Sequence, residues 1–116
     1  MPLIHIQTST PAPADPAPLL RELSRELASL LGKPERYVMV LLNGAVPMCF
    51  AGEASPCCYV EVKSIGQLDG DQPRRISAAI CGLLERRLSL PGARTYIEFV
   101  DVPPRLWGWD GGTFAS

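Results

Sequence analysis

The chain has 116 residues, of which 47% are apolar and 20% charged, and its formal net charge is -1. This is enough sequence for one domain with its own core. Lysine and arginine are scattered without a basic stripe, and no apolar run approaches the roughly 20 residues of a transmembrane helix. No signal-peptide pattern opens the chain. We therefore expect a cytoplasmic protein that binds neither nucleic acid nor membrane.

The first strand is predicted over residues 2–8, with Leu3 and the other odd positions facing one way and Ile4 and Ile6 the other. Proline is acceptable as a strand's first residue because its missing N–H is not needed there. If processing removes Met1, Pro2 becomes a free secondary amine, which is a candidate general base or nucleophile. The alternative is that Pro2 is only a tolerated first residue of the strand.

The segment 9–18 carries four prolines and leads into a predicted helix, with Asp15 as its cap and Pro16 at its first position. Leucines spaced by three and four residues give this helix one apolar stripe. Gly32 is expected to end the helix. The continuous apolar run 37–42 then predicts a strand that is covered on both faces.

The second half repeats this order. Its strand should turn Tyr59, Glu61 and Lys63 to one face and alternate with apolar residues on the other. The remaining predicted elements are a short edge strand over 46–51, a strand over 57–65, a helix over about 72–88, a strand over 94–100, and short extended pieces in the tail, 101–116.

An internal repeat organises the chain as a single domain, 1–116. A strand, a helix and a strand occur over 2–42 and again over 57–100, and aligning the two junctions places Arg36 opposite Arg94. Each unit is a βαβ crossover, so its two strands are parallel. We predict an α+β fold with one four-stranded mixed sheet and both helices on one face. The other face carries apolar and aromatic candidates and is expected to be covered by partner subunits.

The four cysteines predict neither a metal site nor a cofactor. They form no CxxC pair, and His5 is the only histidine. Zinc sites need a larger ligand set at defined spacings. We expect Cys49, Cys57, Cys58 and Cys81 to be small, buried, reduced thiols.

Several motifs, in this order and over essentially the whole chain, resemble the macrophage migration inhibitory factor (MIF) family of the tautomerase superfamily. They are Pro2 after Met1, Gly32-Lys33-Pro34, Ser64-Ile65-Gly66, Cys81-Gly82-Leu83-Leu84, Tyr96-Ile97, Gly108-Trp109 and Thr113-Phe114-Ala115. The resemblance implies a homotrimer with active sites between subunits. It also implies cofactor-independent keto–enol tautomerase activity on phenylpyruvate-type 2-keto acids and dopachrome-like compounds. In animals the family includes cytokines exported without a signal peptide.

The chemistry requires a base near the operating pH, an anchor for the substrate carboxylate and stabilisation of the enol. An α-amino group ordinarily titrates near 8, but burial and a nearby cation disfavour its charged form. At an effective dielectric of about 20, a like charge about 7 Å away costs roughly 2 kcal/mol, and Lys33 could supply that charge. The alternative for Lys33 is a solvated lysine near a helix C-terminus.

The resemblance implies the remaining binding roles. Lys33 and the backbone N–H of Ile65 hold the carboxylate, and Tyr96 of the neighbouring subunit lines the pocket. The aromatic residues Tyr37, Trp109 and Phe114 match positions near the pocket, although plain core or trimer packing is an equal alternative.

Three positions depart from the family pattern. Val60 stands at the second cysteine of the family's CxxC, which argues against thiol–disulfide exchange. Glu98 replaces a frequent asparagine; an ionised carboxylate only accepts hydrogen bonds, so it should repel a second anion and suit a ring hydroxyl. Lys63 replaces a histidine beside the pocket and adds a cation.

Three functional classes therefore remain open. The first is a tautomerase that uses Pro2. The second is a MIF-like signalling or binding protein with a residual pocket. The third is a ferredoxin-like module that binds a small regulatory ligand, suggested by the βαβ duplication alone.

Overall fold

The computed structural model describes residues 1–115; Ser116, the last residue of the predicted domain, lies outside that range. Two long helices and four strands account for most of the chain. They are β1 (Leu3–Thr8), α1 (Ala17–Leu31), β2 (Met39–Asn43), β3 (Cys58–Ser64), α2 (Gln72–Leu88) and β4 (Thr95–Asp101), followed by the two-residue strands β5 (Gly108–Trp109) and β6 (Gly112–Thr113). No helix of these 115 residues is long and apolar enough to cross a lipid bilayer.

The four main strands form one mixed sheet in the order β2-β1-β3-β4. β1 is parallel to β2 and β3 is parallel to β4, while β1 and β3 run antiparallel in the centre. Each parallel pair belongs to one βαβ unit. The predicted fold class and the pairing of the duplicated units are therefore confirmed.

The core lies between the sheet and the two helices. Alternate residues of the central strands, such as Ile4 and Val60, are fully buried and contact the leucine stripe of α1 and the apolar stripe of α2. The predicted alternation of β1 and β3 is confirmed. Complete burial of one such aliphatic side chain contributes about 1.5–3 kcal/mol, so this layer is the main source of stability.

The opposite face of the sheet is more polar than expected. Tyr59 donates its hydroxyl to Glu61 at 3.0 Å and lies 3.3 Å from a carboxylate oxygen of Glu98, while the His5 ring nitrogen Nε2 lies 3.0 Å from Asn43 Oδ1. Burial and the two carboxylates raise the pKa of Tyr59 to about 12. The phenol therefore stays protonated and shares its single proton between two acceptors.

Helix α1 begins one residue later than predicted. Pro16 is the N-terminal cap, and its carbonyl accepts the first helical hydrogen bond from Leu20 at 3.1 Å. Asp15 accepts a hydrogen bond from Ala17 N at 3.3 Å, so it supports the turn before the cap instead of being the cap itself. The αR conformation of Pro16 is compatible with either position, which is why the sequence did not separate them.

The predicted edge strand over 46–51 is wrong. This segment belongs to a loop in which Val46 N donates to the Thr8 carbonyl at 3.0 Å and Phe50 forms an isolated bridge with Glu53 across a two-residue turn. Ala51 and Gly52 both have positive φ, of 55° and 76°, as such tight turns require. Phe50 packs against Tyr96 of β4 with their ring centroids 4.8 Å apart, but the segment does not join the sheet as a strand.

The two helix-to-strand junctions share one backbone design. Each helix ends in a left-handed residue, Gly32 or Ser89, and each is followed by a proline and one 3-10 turn, Glu35–Tyr37 or Gly92–Arg94. Position by position, Tyr37 therefore corresponds to Arg94. The alignment of Arg36 with Arg94 is one residue out of register, because serine gives no sequence signal for the left-handed cap.

Candidate active site

A cavity of about 500 Å³ lies beside the N-terminus. It is bounded by the start of β1, the 3-10 turn after α1, the end of β3 and the C-terminal tail. Its wall is formed by Met1, Pro2, Leu3, Arg36, Tyr37, Val38, Met39, Lys63, Val102, Leu106, Trp107, Gly108, Trp109 and Phe114. Aromatic and aliphatic groups dominate this wall, as is usual for sites that bind small molecules.

Hydrogen bonds to the neighbouring strand fix the N-terminus in this cavity. The Met1 amine donates to the Tyr37 carbonyl at 2.8 Å, and Met39 N donates to the Pro2 carbonyl at 3.1 Å. Pro2 itself is fully buried. The start of β1 is therefore held rigidly against the residues that precede β2.

The N-terminal amine has an unusually low pKa. Burial, and then the charge of Lys33, lower the pKa of the Met1 amine from 8.0 to about 6. Because both causes disfavour the ammonium form, an amine at this position is mostly neutral at pH 7. With Met1 in place, the nitrogen of Pro2 is an amide and carries no basic lone pair.

Lys33 lies close enough to the N-terminal amine to lower its pKa, and it follows directly after the left-handed Gly32 that ends α1. Its ammonium donates to the Ile65 carbonyl at 2.6 Å. An ammonium has three donors, so this bond leaves others free for an anion. The contact also brings the backbone of Ile65 next to the Lys33 charge, although neither residue belongs to the wall of the cavity itself.

Three aromatic residues named from the sequence come together on one wall. The Tyr37 ring meets Trp109 edge-on at 5.9 Å and Phe114 edge-on at 5.7 Å, and the last two rings stack at 5.5 Å. The small β5–β6 hairpin brings the tail into place, and Phe114 N bonds to the Trp107 carbonyl. This wall matches the flat face of an aromatic ligand.

The charged groups of the wall are cations. Arg36 stacks over the Tyr37 ring at 4.8 Å, and Lys63 lies 4.0 Å from the Glu61 carboxylate on the open sheet face. No aspartate or glutamate occurs among the described residues of the wall. The cavity is therefore suited to an anionic ligand.

Two residues named from the sequence lie elsewhere in the chain. Tyr96 is the cross-strand partner of Tyr59, which in turn pairs with Gln7 at the far end of β1 from Pro2. Glu98 follows on the same outer strand, β4. Tyr96 is 66% exposed. A single chain therefore does not bring Tyr96 or Glu98 into the cavity beside Pro2.

Several wall residues were missed by the sequence reasoning, including Arg36, Met39, Leu106 and Trp107. They lie in single turns or next to them, where no periodicity marks a face. Two of them could have been found because they are close in sequence to residues that were predicted to line the site. Arg36 precedes Tyr37, and Trp107 lies two residues before Trp109. Within residues 1–115, no group of three or more His, Cys, Asp or Glu side chains is arranged to hold a metal ion.

Comparisons with known proteins match this chain to one family over nearly its whole length. A sequence model described as macrophage migration inhibitory factor (MIF) matches residues 1–115. The chain is 38% identical to the macrophage migration inhibitory factor of Meriones unguiculatus and 37% identical to that of Rattus norvegicus, in both cases over 99% of this chain and 100% of the relative.

Solved structures of macrophage migration inhibitory factors have the same fold as this chain. A macrophage migration inhibitory factor homologue from Prochlorococcus marinus has a TM-score of 0.96 at 57% identity, covering 97% of this chain and 99% of that chain. The corresponding protein of Trichinella spiralis has a TM-score of 0.89 at 30% identity over the same shares. The full-length match in sequence, the duplicated βαβ fold and the position of the N-terminus together show that the chain belongs to the MIF family.

Proposed function

We propose that this protein is a cofactor-independent keto–enol tautomerase of phenylpyruvate-type 2-keto acids, with Pro2 as its general base after removal of Met1. The observation that carries the proposal is an N-terminal amine of low pKa at a cationic, aromatic-lined cavity. A base whose pKa lies near the operating pH transfers protons most effectively. Membership of the MIF family supports the same reaction class.

The reaction follows from these groups. The neutral Pro2 nitrogen accepts a proton from the methylene carbon next to the keto group. The C–H electron pair becomes the new C=C bond, and the carbonyl π pair moves to the oxygen, which takes a proton from water. The hydroxide left behind takes the proton from the Pro2 ammonium, which restores both the water and the neutral base. Lys33 holds the substrate carboxylate, while Tyr37, Trp109 and Phe114 pack against the ring. The reverse sequence converts the enol to the keto form.

Removal of Met1 is a requirement of this mechanism, because only then is the Pro2 nitrogen an amine. The new amine would lie one residue further into the structure, where Pro2 is fully buried. Burial and the charge of Lys33 lower the pKa of the Met1 amine, and the proposal takes both to act on the Pro2 amine as well. The proposal therefore expects Pro2 to be mostly neutral at pH 7.

The proposal includes a homotrimer in which a neighbouring copy supplies Tyr96 and Glu98 to the cavity. Its support is that both side chains are exposed and lie away from Pro2 in the same chain. Tyr96 is in register with Gln7 at the far end of β1, and Glu98 is in register with His5 but two strands away from β1. Tyr59 has one proton for two carboxylates, so Glu98 keeps acceptor capacity for a ligand. A substrate whose ring carries a hydroxyl would use it.

The second candidate is a MIF-like cytokine or binding protein with a residual pocket. It is favoured by large apolar side chains exposed around the mouth of the cavity, namely Met39, Leu106 and Trp109. Such side chains suit a protein partner as well as a substrate. A receptor-binding assay with the Pro2→Gly variant separates the two, because binding by a surface survives that substitution.

The test combines mass spectrometry with a phenylpyruvate assay. The mass should show that Met1 is absent, and the protein should interconvert the enol and keto forms faster than buffer does. Inserting one alanine between Met1 and Pro2 keeps the proline ring but turns its nitrogen into an amide, so the rate should fall by about 10²–10⁴-fold. Pro2→Gly retains an amine and should lose less.

Pro11→Gly is the matched control, since Pro11 is an exposed proline between β1 and α1 that does not belong to the wall of the cavity; it should leave the rate unchanged. A wild-type protein no faster than buffer overturns the proposal, and so does full activity of both N-terminal variants.

A further inference from the structure

A strongly constrained arginine lies outside the cavity. The Arg94 guanidinium, at the end of the 3-10 turn before β4, donates to four backbone carbonyl oxygens. Its partners are Pro56 at 2.9 Å, Ser55 at 3.0 Å, Glu53 at 3.2 Å and Phe50 at 3.3 Å. Its planar fork of donors suits this arrangement in a way that a lysine ammonium does not.

All four acceptors belong to one loop, residues 44–57. From 47 to 56 the backbone hydrogen bonds that the structure describes are those between Phe50 and Glu53 and those to Arg94. Residues 51–56 are exposed. The loop therefore has little to fix it except this one side chain.

Fixing the loop also fixes an aromatic contact. The guanidinium carbon of Arg94 lies 5.2 Å from the centroid of the Phe50 ring, which in turn packs against Tyr96 at 4.8 Å with an angle of 61° between the rings. Tyr96 is largely exposed, so Phe50 is its main aromatic support among the described residues. A continuous series of contacts thus runs from Arg94 through Phe50 to Tyr96.

We propose that Arg94 is a positioning residue: by holding the 44–57 loop, it seats Phe50 against Tyr96 and orients the Tyr96 ring for the aromatic part of the substrate. This inference rests on the proposed function, in which Tyr96 lines the cavity of a neighbouring copy. Arg94 touches neither the amine nor the substrate carboxylate. Its loss should therefore weaken substrate binding and leave the proton transfer intact.

The kinetic test uses Arg94→Ala and Phe50→Ala in the assembled protein. Each should raise KM for phenylpyruvate by about three- to ten-fold, the effect of losing one ordered aromatic pair. Both kcat and the midpoint of the pH profile should stay at their wild-type values. Arg105→Ala is the control, since Arg105 is an exposed arginine in the similar turn Pro104–Leu106 and has no described hydrogen bond; its kinetics should be unchanged.

A double variant tests the connection. If Arg94 acts through Phe50, Arg94→Ala combined with Phe50→Ala should be no worse than Phe50→Ala alone. Arg94→Lys keeps the charge but not the fork of donors, so it should resemble Arg94→Ala. Additive losses in the double variant, a fall in kcat, or an unchanged KM would each overturn the positioning role.

Nuclear magnetic resonance of the tyrosine rings separates this inference from the proposed function. The Tyr96 ring signals should shift or broaden in Arg94→Ala and in Phe50→Ala whether or not the protein acts on phenylpyruvate. Unchanged Tyr96 signals in both variants overturn the inference even if the enzyme is active. An inactive wild type whose Tyr96 signals do respond overturns the proposed function alone and leaves the contact series from Arg94 to Tyr96 in place.

Discussion

The two helix-to-strand junctions have the same backbone and opposite uses. After the left-handed cap, the first junction carries Lys33, which is half-buried and reaches the Ile65 carbonyl; the second carries Leu90, which is fully buried in the core. Four residues after Lys33 and Leu90, Tyr37 lines the cavity whereas Arg94 holds a loop. The duplicated fold thus provides two junctions with equivalent backbones. The side chains of each junction decide whether it lines a cavity or holds another segment.

The difference extends to what each junction contacts. The Tyr37 carbonyl accepts a hydrogen bond from the Met1 amine, immediately before β1. In the equivalent place Arg94 donates to the carbonyl of Pro56, shortly before β3. The first junction therefore holds a chain terminus, and the second holds a loop. The base that we propose, Pro2, is next to the first junction.

The largest expected effect on stability comes from placing the lysine of the first junction at the equivalent position of the second, Leu90. Leu90→Lys would place an ammonium in the core without a partner, and the free energy of unfolding should fall by about 3–5 kcal/mol. Urea denaturation measures it. Ala93→Lys, at an exposed position of the neighbouring turn, should change stability by less than about 0.5 kcal/mol. A loss below 1 kcal/mol for Leu90→Lys would show that the two positions are not different environments.

The reverse exchange should affect activity instead of stability. Lys33→Leu removes the proposed carboxylate anchor, and a hydrogen bond to a charged group is worth about 1.5–3 kcal/mol, so kcat/KM should fall roughly 10- to 100-fold. The pKa of the amine should rise, because a neighbouring cation is lost. The pKa should still stay below its ordinary value, since burial is the larger of the two causes that lower the pKa of the N-terminal amine.

Steady-state kinetics across pH measure both parts of this prediction. Arg25→Leu, which removes an exposed cation of α1, is the control. If Lys33→Leu has wild-type kcat/KM and an unmoved pH profile, Lys33 is only a solvated lysine at a helix end.

The smallest effects concern the caps. Gly32 and Ser89 have φ of 62° and 55°, in the left-handed region that costs a residue with a Cβ about 1–2 kcal/mol. Gly32→Ser should therefore lower stability by about 1 kcal/mol, and Ser89→Gly should raise it by up to a similar amount. Thermal unfolding of the pair measures the difference; changes of the same sign would break the equivalence of the two junctions.

Much of the fold could be predicted because leucine spacing and strand alternation act locally. The two helices, the four main strands and their pairing all follow from those patterns. The aromatic group of Tyr37, Trp109 and Phe114 was named through family motifs, and the structure does bring the three rings together. These features could be predicted because they depend on residues close together in sequence or on motifs at the spacing typical of the family.

Other features depend on contacts between distant segments, and the sequence does not mark them. The 46–51 segment has strand-like composition but no neighbouring strand to pair with. The Ser89 cap looks like an ordinary serine, so the junctions were aligned one residue out of register. Arg94 was named only as part of the repeat, because its four acceptors lie about 40 residues away in the chain.

We propose that the amine at the start of β1 is the catalytic base and that burial and Lys33 lower its pKa. The most direct test is the pH dependence of kcat/KM for phenylpyruvate, using protein whose mass shows that Met1 is absent. Because the neutral amine is the active form, the rate should rise with pH, with its midpoint below the ordinary α-amino value of about 8, and then level off. A rise centred near 8, or a rate independent of pH, would contradict the account.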